Sequence, residues 1–199
     1  MNPEAIKRKE FLLRKNHGKL LRGKYIGKLS SILNRKADSL NILNLEDSES
    51  IYNKFSVDLK DIFEKTNSLK FLEYNSTEST SDQFYKALDS IIKKSKEKGL
   101  NIYTDELLLN NDLQKLLTRN GSEKGYLFLG DALMMGGIKI TFREFIDNLT
   151  ELLILDGDTI YFISTKGKHN IYIDAYEEFT GDIMFQSIII KNKNYCDLL

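Results

Sequence analysis

The chain has one cysteine, Cys196, one proline, Pro3, and no excess of either charge, with 29 Lys and Arg against 29 Asp and Glu in 199 residues. Each shortage excludes something. A single thiol leaves no intrachain disulfide, and no apolar run comes near the roughly 18 residues that a membrane span needs. The opening residues are charged rather than apolar, so no secretory signal is expected, and a cytoplasmic, reducing location is the default. A composition of 41% hydrophobic and 29% charged residues fits one soluble domain, or one domain with a helical extension. A chain of this length buries roughly 70% of the surface its unfolded state exposes, so folding requires no metal or disulfide staple.

The zero net charge conceals an asymmetry. Residues 1–36 hold eleven Lys or Arg and only two Glu, and the rest of the chain carries a matching acidic excess. Such a split suggests a basic arm that meets an anionic partner, or one that folds back onto an acidic body.

A helical pattern opens at Pro3, a residue tolerated in a first turn, and runs to Asn16 through Ile6, Phe11, Leu12 and Leu13, with Gly18 read as an interruption. A second run sets Leu21, Tyr25, Leu29, Ile32 and Leu33 three and four apart, on one face of a helix. Residues 37–50 are polar and acidic, and Tyr52 to Leu72 resumes helical spacing through Phe55, Leu59, Ile62 and Phe63. The apolar-free stretch from Asn75 to Thr80 is the best internal boundary. It divides a helical part, 1–74, from an α+β body, 80–199, the two forming one unit. Thr80 and Gln83 have capping-box spacing ahead of a helix through Phe84, Leu88, Ile91 and Ile92 to Gly99. Two short helical pieces follow, Asp105 to Leu109 and Asp112 to Arg119.

Beyond Gly125 the grammar changes. Tyr126 to Leu129 and Ile138 to Ile140 are short apolar runs with the length and glycine punctuation of strands. Thr141 and Glu144 form another capping box, heading a helix through Phe142, Phe145, Ile146, Leu149, Leu152 and Leu153. After a turn at Asp156-Gly157-Asp158 come three alternating segments, Thr159 to Thr165, Asn170 to Glu177 and Asp182 to Lys191. The expected fold class is therefore α+β, with a helical N-terminal half and a C-terminal antiparallel β-meander packed on helices.

Successive strand residues point to opposite faces. Ile171, Ile173 and Ala175, with Ile160 and Phe162, belong to a core, while Tyr161, Tyr172, Asp174, Tyr176 and Glu178 share the other face. Tyrosines set among carboxylates make an amphipathic, acidic surface, and Tyr offers a large contact area with few torsions to freeze. The competing reading is that half-exposed strands favour Tyr, or that the N-terminal helices cover this face.

Other motif matches fail on context. Gly18 to Tyr25 follows the phosphate-loop spacing except at its last position, where Tyr25 replaces the hydroxyl that would hold magnesium. Arg14-Lys15-Asn16-His17, rather than an apolar strand, precedes it. Asp156, Asp158, Glu177 and Glu178 could imitate a nuclease metal cluster, but no lysine stands two residues after an acid in the meander. His17, His169 and Cys196 lack a second ligand at useful spacing for zinc. No catalytic residue, metal or cofactor is assigned, and the chain is read as a non-enzyme.

Thr141-Phe-Arg-Glu-Phe-Ile146, Leu155-Asp-Gly-Asp-Thr-Ile-Tyr161 and Ile171-Tyr-Ile-Asp-Ala-Tyr-Glu-Glu178 together resemble the immunity proteins of bacterial polymorphic and contact-dependent toxin systems, over part of the C-terminal region. The resemblance implies a small, cytosolic, catalytically inert protein that neutralises a sibling toxin by binding it. A nuclease toxin would suit an acidic inhibitor, which is steered toward a site built for polyanions. The binding surface expected is then Tyr161, Tyr172, Asp174, Tyr176 and Glu178. The alternative is a nucleic-acid-binding protein that uses Arg14, Lys15, Lys19, Arg22, Lys24 and Lys28, with Tyr25 offered for stacking. In either case the stripe from Leu21 to Leu33 must be covered, since each large apolar side chain left in water forgoes roughly 1.5 to 3 kcal/mol. One helical layer, formed with the stripes around Phe55 to Phe63 and Phe84 to Ile92 and continuous with the sheet, is the expected solution.

Overall fold

A computed structural model of the chain describes residues 3–74, 100–103, 106–129, 135–156, 159–177 and 183–196. Its strands are β1 (Leu100–Tyr103), β2 (Lys124–Leu129), β3 (Ile138–Thr141), β4 (Thr159–Ser164), β5 (His169–Glu177) and β6 (Ile183–Lys191). They form one six-stranded antiparallel sheet in the order β1-β6-β5-β4-β2-β3. The fold is α+β, and the meander read from the sequence is β4, β5 and β6. Strand β1 has no counterpart in that reading. Its four residues pair with Ser187 to Ile190 at the sheet edge, and so short a segment shows no periodicity of its own.

Helices lie on both faces of this sheet. On one face, α1 (Pro3–Ile32), α3 (Glu106–Asn120), α4 (Phe142–Asp147) and α5 (Leu149–Asp156) share a core with Leu127, Leu129, Ile160, Phe162, Ile171, Ile173 and Ile189. On the other, α2 (Leu45–Tyr74) lays Ile51, Phe55 and Leu59 over Tyr126, Phe128, Tyr161, Ile163, Tyr172, Ile188 and Ile190, with Tyr195 beside them. Alternation along each strand thus feeds two cores at once. The expectation of a single helical layer is corrected accordingly: the stripe of Tyr25, Leu29 and Leu33 and the stripe of Ile51, Phe55 and Leu59 are on opposite sides of the sheet.

Local boundaries shift for physical reasons. Gly18 does not interrupt α1, because a glycine inside a helix costs only about 1 kcal/mol, less than burying Tyr25, Leu29 and Leu33 returns. The two pieces expected between Asp105 and Arg119 are one helix, α3, whose Leu109, Leu113 and Leu117 form a single buried stripe. The helix expected to follow Thr141 is divided at Asn148, which leaves helical geometry between α4 and α5. Helix α2 starts at Leu45, before Tyr52, because Asn44 caps it: its Oδ1 accepts from the Asp47 amide at 2.8 Å. The boundary at Asn75 to Thr80 and the helix from Thr80 to Gly99 lie outside the described residues, as does most of the turn at 156–158.

The second capping box forms as expected. Thr141 Oγ1 accepts from the Glu144 amide at 3.2 Å, and Glu144 Oε2 accepts from the Thr141 amide at 2.7 Å. Arg35 then donates to the same carboxylate at 2.6 Å and to the Lys139 carbonyl at 3.1 Å, tying the end of α1 to the sheet. The β3 edge is covered rather than open. Leu43 donates to Gly137 O at 2.9 Å, Lys139 donates to Asn41 O at 2.8 Å, and Ile42 bridges Ile138. Gly136 makes this turn with φ +94°, where a Cβ would also stand 2.5 Å from the Leu43 carbonyl oxygen.

Phe55 is wholly buried between α2 and the sheet, whereas Val57 on the same helix is 68% exposed. Phe55→Ala is expected to lower the urea unfolding free energy by about 3 to 5 kcal/mol, and Val57→Ala by less than about 0.5 kcal/mol. Equal small losses in both would show that α2 does not cover the sheet.

Candidate functional site

The tyrosines on the α2 side of the meander are built into the core. Tyr161 and Tyr172 are each 7% exposed. Tyr161 meets Tyr52 and Phe55 edge-on, with ring centroids 5.4 and 6.2 Å apart, and Tyr172 lies 5.3 Å from Tyr161. The acids beside them are spent internally. Asp174 accepts from the Tyr172 hydroxyl at 2.9 Å and from Thr159 at 2.7 Å, and Asp58 of α2 accepts from Tyr195 and pairs with Lys193. Burial first, then hydrogen bonding with Tyr52, holds the Tyr161 hydroxyl well above its usual range. The expected partner surface is therefore corrected at Tyr161 and Tyr172, because α2 occupies the place a partner would take, and Asp174 serves to satisfy their neighbourhood. The Tyr176 side chain and Glu178 lie outside the described part of the structure.

The basic segment is also reassigned in part. Arg22 donates from Nε to the Met135 carbonyl at 2.6 Å and from Nη2 to the Leu43 carbonyl at 3.0 Å, so it fastens α1 to two loops. Tyr25 is buried at 6% exposure and offers no ring for stacking. Lys19, Lys24 and Lys28 are exposed, while the side chains of Arg14 and Lys15 lie outside the described part. The phosphate-loop look-alike from Gly18 to Tyr25 is mid-helix, where consecutive amides bond within the helix and cannot cradle a ligand.

A different constellation emerges at the end of the sheet where β2 begins and β4 turns into β5. Glu123, Ser164, His169 and Asn170 are all buried there. Ser164 Oγ donates to Glu123 Oε1, and His169 Nδ1, which must carry the hydrogen, donates to Glu123 Oε2 at 3.2 Å. His169 also stacks on Phe142, with centroids 6.2 Å apart. Ser164 Oγ in turn accepts from the amides of Lys166 and Lys168 at 3.1 and 3.2 Å. Asn170 accepts from the Ser164 amide at 3.0 Å and donates to the Lys193 carbonyl at 2.8 Å. Serine, histidine and a carboxylate meet here in a different order from the serine–histidine–carboxylate triad: both donors converge on Glu123, and no imidazole nitrogen faces the serine hydroxyl. The network instead fixes the hairpin between β4 and β5.

Above it opens a cleft of about 330 Å³, lined by Arg119, Ser122, Lys124, Thr165, Lys166 and Lys168 with Glu123 at its floor. Sequence reasoning missed this site. Lys166-Gly167-Lys168 reads as a plain strand connection, and His169 as a metal ligand without companions. Among the described residues no three His, Cys, Asp or Glu side chains are placed to hold a metal ion, and no helix is long and apolar enough to cross a membrane.

Desolvation depresses the His169 pKa below its ordinary 6.5, against the opposing pull of Glu123, while the charges of Lys191 and Lys168 push it lower still. The folded state therefore takes up this proton less readily than the unfolded chain. Its contribution to stability is intact above about pH 6.5 and is lost as pH falls from there through the depressed native value. The unfolding midpoint is expected to drop as pH falls below about 6.5, and the slope to flatten in His169→Gln even though that variant is less stable at neutral pH. An unchanged slope in the variant would remove His169 as its cause.

No protein-family model matches the chain, and no curated protein or solved structure shows significant similarity to it.

Proposed function

We propose that the protein is a non-enzymatic binding protein of the immunity type, which neutralises a toxin domain by direct contact through the outer side of α1. The observation that carries this reading is a second apolar line on that helix. Its inner side joins the core through Tyr25, Leu29 and Leu33, but Ile6, Leu13 and Leu20, each seven residues from the next, share the side facing solvent. Leu13 is 59% exposed and Leu20 is 74% exposed. At the same spacing the line reaches Gly27, and near it stands Gly23; a Cβ at either would meet nothing within 4 Å. Two glycines on an open helix face cost helix stability without relieving any crowding, and they let another helix approach closely.

The charge around this line selects the occupant. Lys19, Lys24 and Lys28 are exposed beside it, and residues 1–36 carry eleven basic residues against two acidic ones. A second copy of the chain would bring like charges together, so the surface fits an acidic helix of a different protein. A nuclease groove, itself cationic, does not match it. With Tyr161 and Tyr172 covered by α2, the target supported here is a toxin domain with an acidic docking surface. Nucleic acid fits less well, since Arg22 and Tyr25 are engaged inside the protein.

Co-expression with toxin domains encoded by neighbouring genes, should any be found there, tests the reading. Wild type is expected to restore growth and to bind the domain, whereas Leu13→Asp with Leu20→Asp weakens binding at least about 100-fold, roughly 2.8 kcal/mol, without moving the unfolding midpoint. Undiminished rescue by the double variant would exclude the α1 surface. Failure of the wild type to bind any adjacent product, or binding to anionic vesicles or DNA alone, would remove the immunity reading itself.

A further inference from the structure

Among the described residues three cations are paired with acids: Arg35 with Glu144, Lys115 with Asp112, Lys193 with Asp58. Those around the cleft are not. Among the described residues, Arg119, Lys124, Lys166 and Lys168 have no carboxylate within salt-bridge distance, although all four line one concavity. The acid that shares the cleft, Glu123, has its side chain only 2% exposed and both oxygens engaged by Ser164 and His169 from below. Four positive charges therefore face one negative charge that is already committed elsewhere.

The supports of these side chains are fixed in advance. Lys166 and Lys168 are held through their amides by Ser164 Oγ, and Thr165 N donates to the Lys124 carbonyl at 3.0 Å, which locks the hairpin to the start of β2. Gly167 has φ +68° and sits so close to the C-terminal tail that a Cβ would lie 2.7 Å from the Asn194 amide nitrogen. Arg119 is in the last turn of α3, which is tied down around it: Leu116 O accepts from Asn120 Nδ2 at 3.3 Å, Asn120 O from the Glu123 amide at 2.8 Å, and Gly121 O from the Arg143 amide at 3.0 Å. Ordering these backbones in the unbound protein lowers the entropic cost of binding.

We propose that this cleft binds a compact anion carrying a diphosphate group, with Arg119 and Lys124 gripping it from one side and Lys166 and Lys168 from the other. The excess of three positive charges within about 330 Å³ calls for two or three negative charges on a small ligand. A diphosphate supplies them and a single carboxylate does not. Arg119 suits a bidentate grip on phosphate oxygens, the lysines act as point charges, and the Ser122 hydroxyl at the rim adds a neutral donor. The diphosphate could belong to free pyrophosphate or to a nucleotide, and the experiment separates these sources. The inference stands apart from the α1 surface and survives if that surface fails.

Calorimetric titration of the full chain with pyrophosphate, inorganic phosphate, a nucleoside diphosphate and a short single-stranded oligonucleotide, all at one ionic strength held constant with chloride, provides the test. Saturable one-to-one binding of pyrophosphate is expected, about tenfold or more tighter than inorganic phosphate. A nucleoside diphosphate that binds tighter than pyrophosphate would assign the source to nucleotides; equal or weaker binding would assign it to the free diphosphate. Lys166→Ala with Lys168→Ala should weaken pyrophosphate binding at least about tenfold and leave the unliganded unfolding midpoint in place, whereas Lys36→Ala, outside the cleft lining, should change nothing. No saturation by pyrophosphate, equal affinity in the cleft variant, or binding confined to the oligonucleotide would each overturn the proposal.

Discussion

Burial of both faces of one sheet is the constraint on which the rest of this structure depends. A strand covered on one side can alternate apolar with polar residues, but a strand covered on both must be apolar at nearly every position. Ile160-Tyr-Phe-Ile163 in β4 and Ile188-Ile-Ile190 in β6 meet that requirement, with Phe162 and Ile189 facing α1's side and Tyr161, Ile163, Ile188 and Ile190 facing α2. Tyrosine solves a particular difficulty on the α2 side. Its ring supplies apolar area, while its hydroxyl finds an acid near the layer's margin, as Tyr172 does at Asp174 and Tyr195 at Asp58. Of what looks in sequence like an acidic recognition surface, Tyr161, Tyr172 and Asp174 are engaged within the fold.

The two surfaces proposed for binding, the outer side of α1 and the end of the sheet near the hairpin between β4 and β5, both lie away from the covered faces and from the β3 edge that residues 41–43 occupy. Both are cationic, so the charge asymmetry of the chain is not cancelled by folding. Arg35 reaches Glu144, yet Lys19, Lys24 and Lys28 pair with no carboxylate among the described residues. The two peripheral surfaces differ in kind. One is a long, partly apolar helix side suited to a macromolecule, and the other is a small polar concavity suited to a compact anion.

Features encoded locally were legible in the sequence. The Thr141–Glu144 capping box depends on two residues three apart, and strands β4, β5 and β6 on short apolar stretches between glycine turns, so a window of ten residues contains each. The α+β class followed from these. Which face of the meander is exposed was not legible, because that depends on where Phe55 lands, roughly a hundred residues upstream of Tyr161 in the chain. The lack of polar residues between Ile160 and Ile163 did hint at two-sided cover; Tyr161 disguised it by standing in for a polar residue. The cleft was harder still. Arg119, Lys124 and Lys168 come from a helix end, a strand start and a hairpin, and only Ser164 and His169, polar residues flanking Lys166-Gly167-Lys168, marked its floor.

Tyrosine nitration mapped by peptide mass spectrometry addresses the two-sided burial most directly. In the native chain Tyr161, Tyr172 and Tyr195 are 7%, 7% and 2% exposed, so they should resist tetranitromethane and react together once urea unfolds the protein. Modification of Tyr161 and Tyr172 in the native chain, at the rate seen in urea, would contradict the account: it would mean that α2 leaves the sheet open and that the tyrosine face is available to a partner.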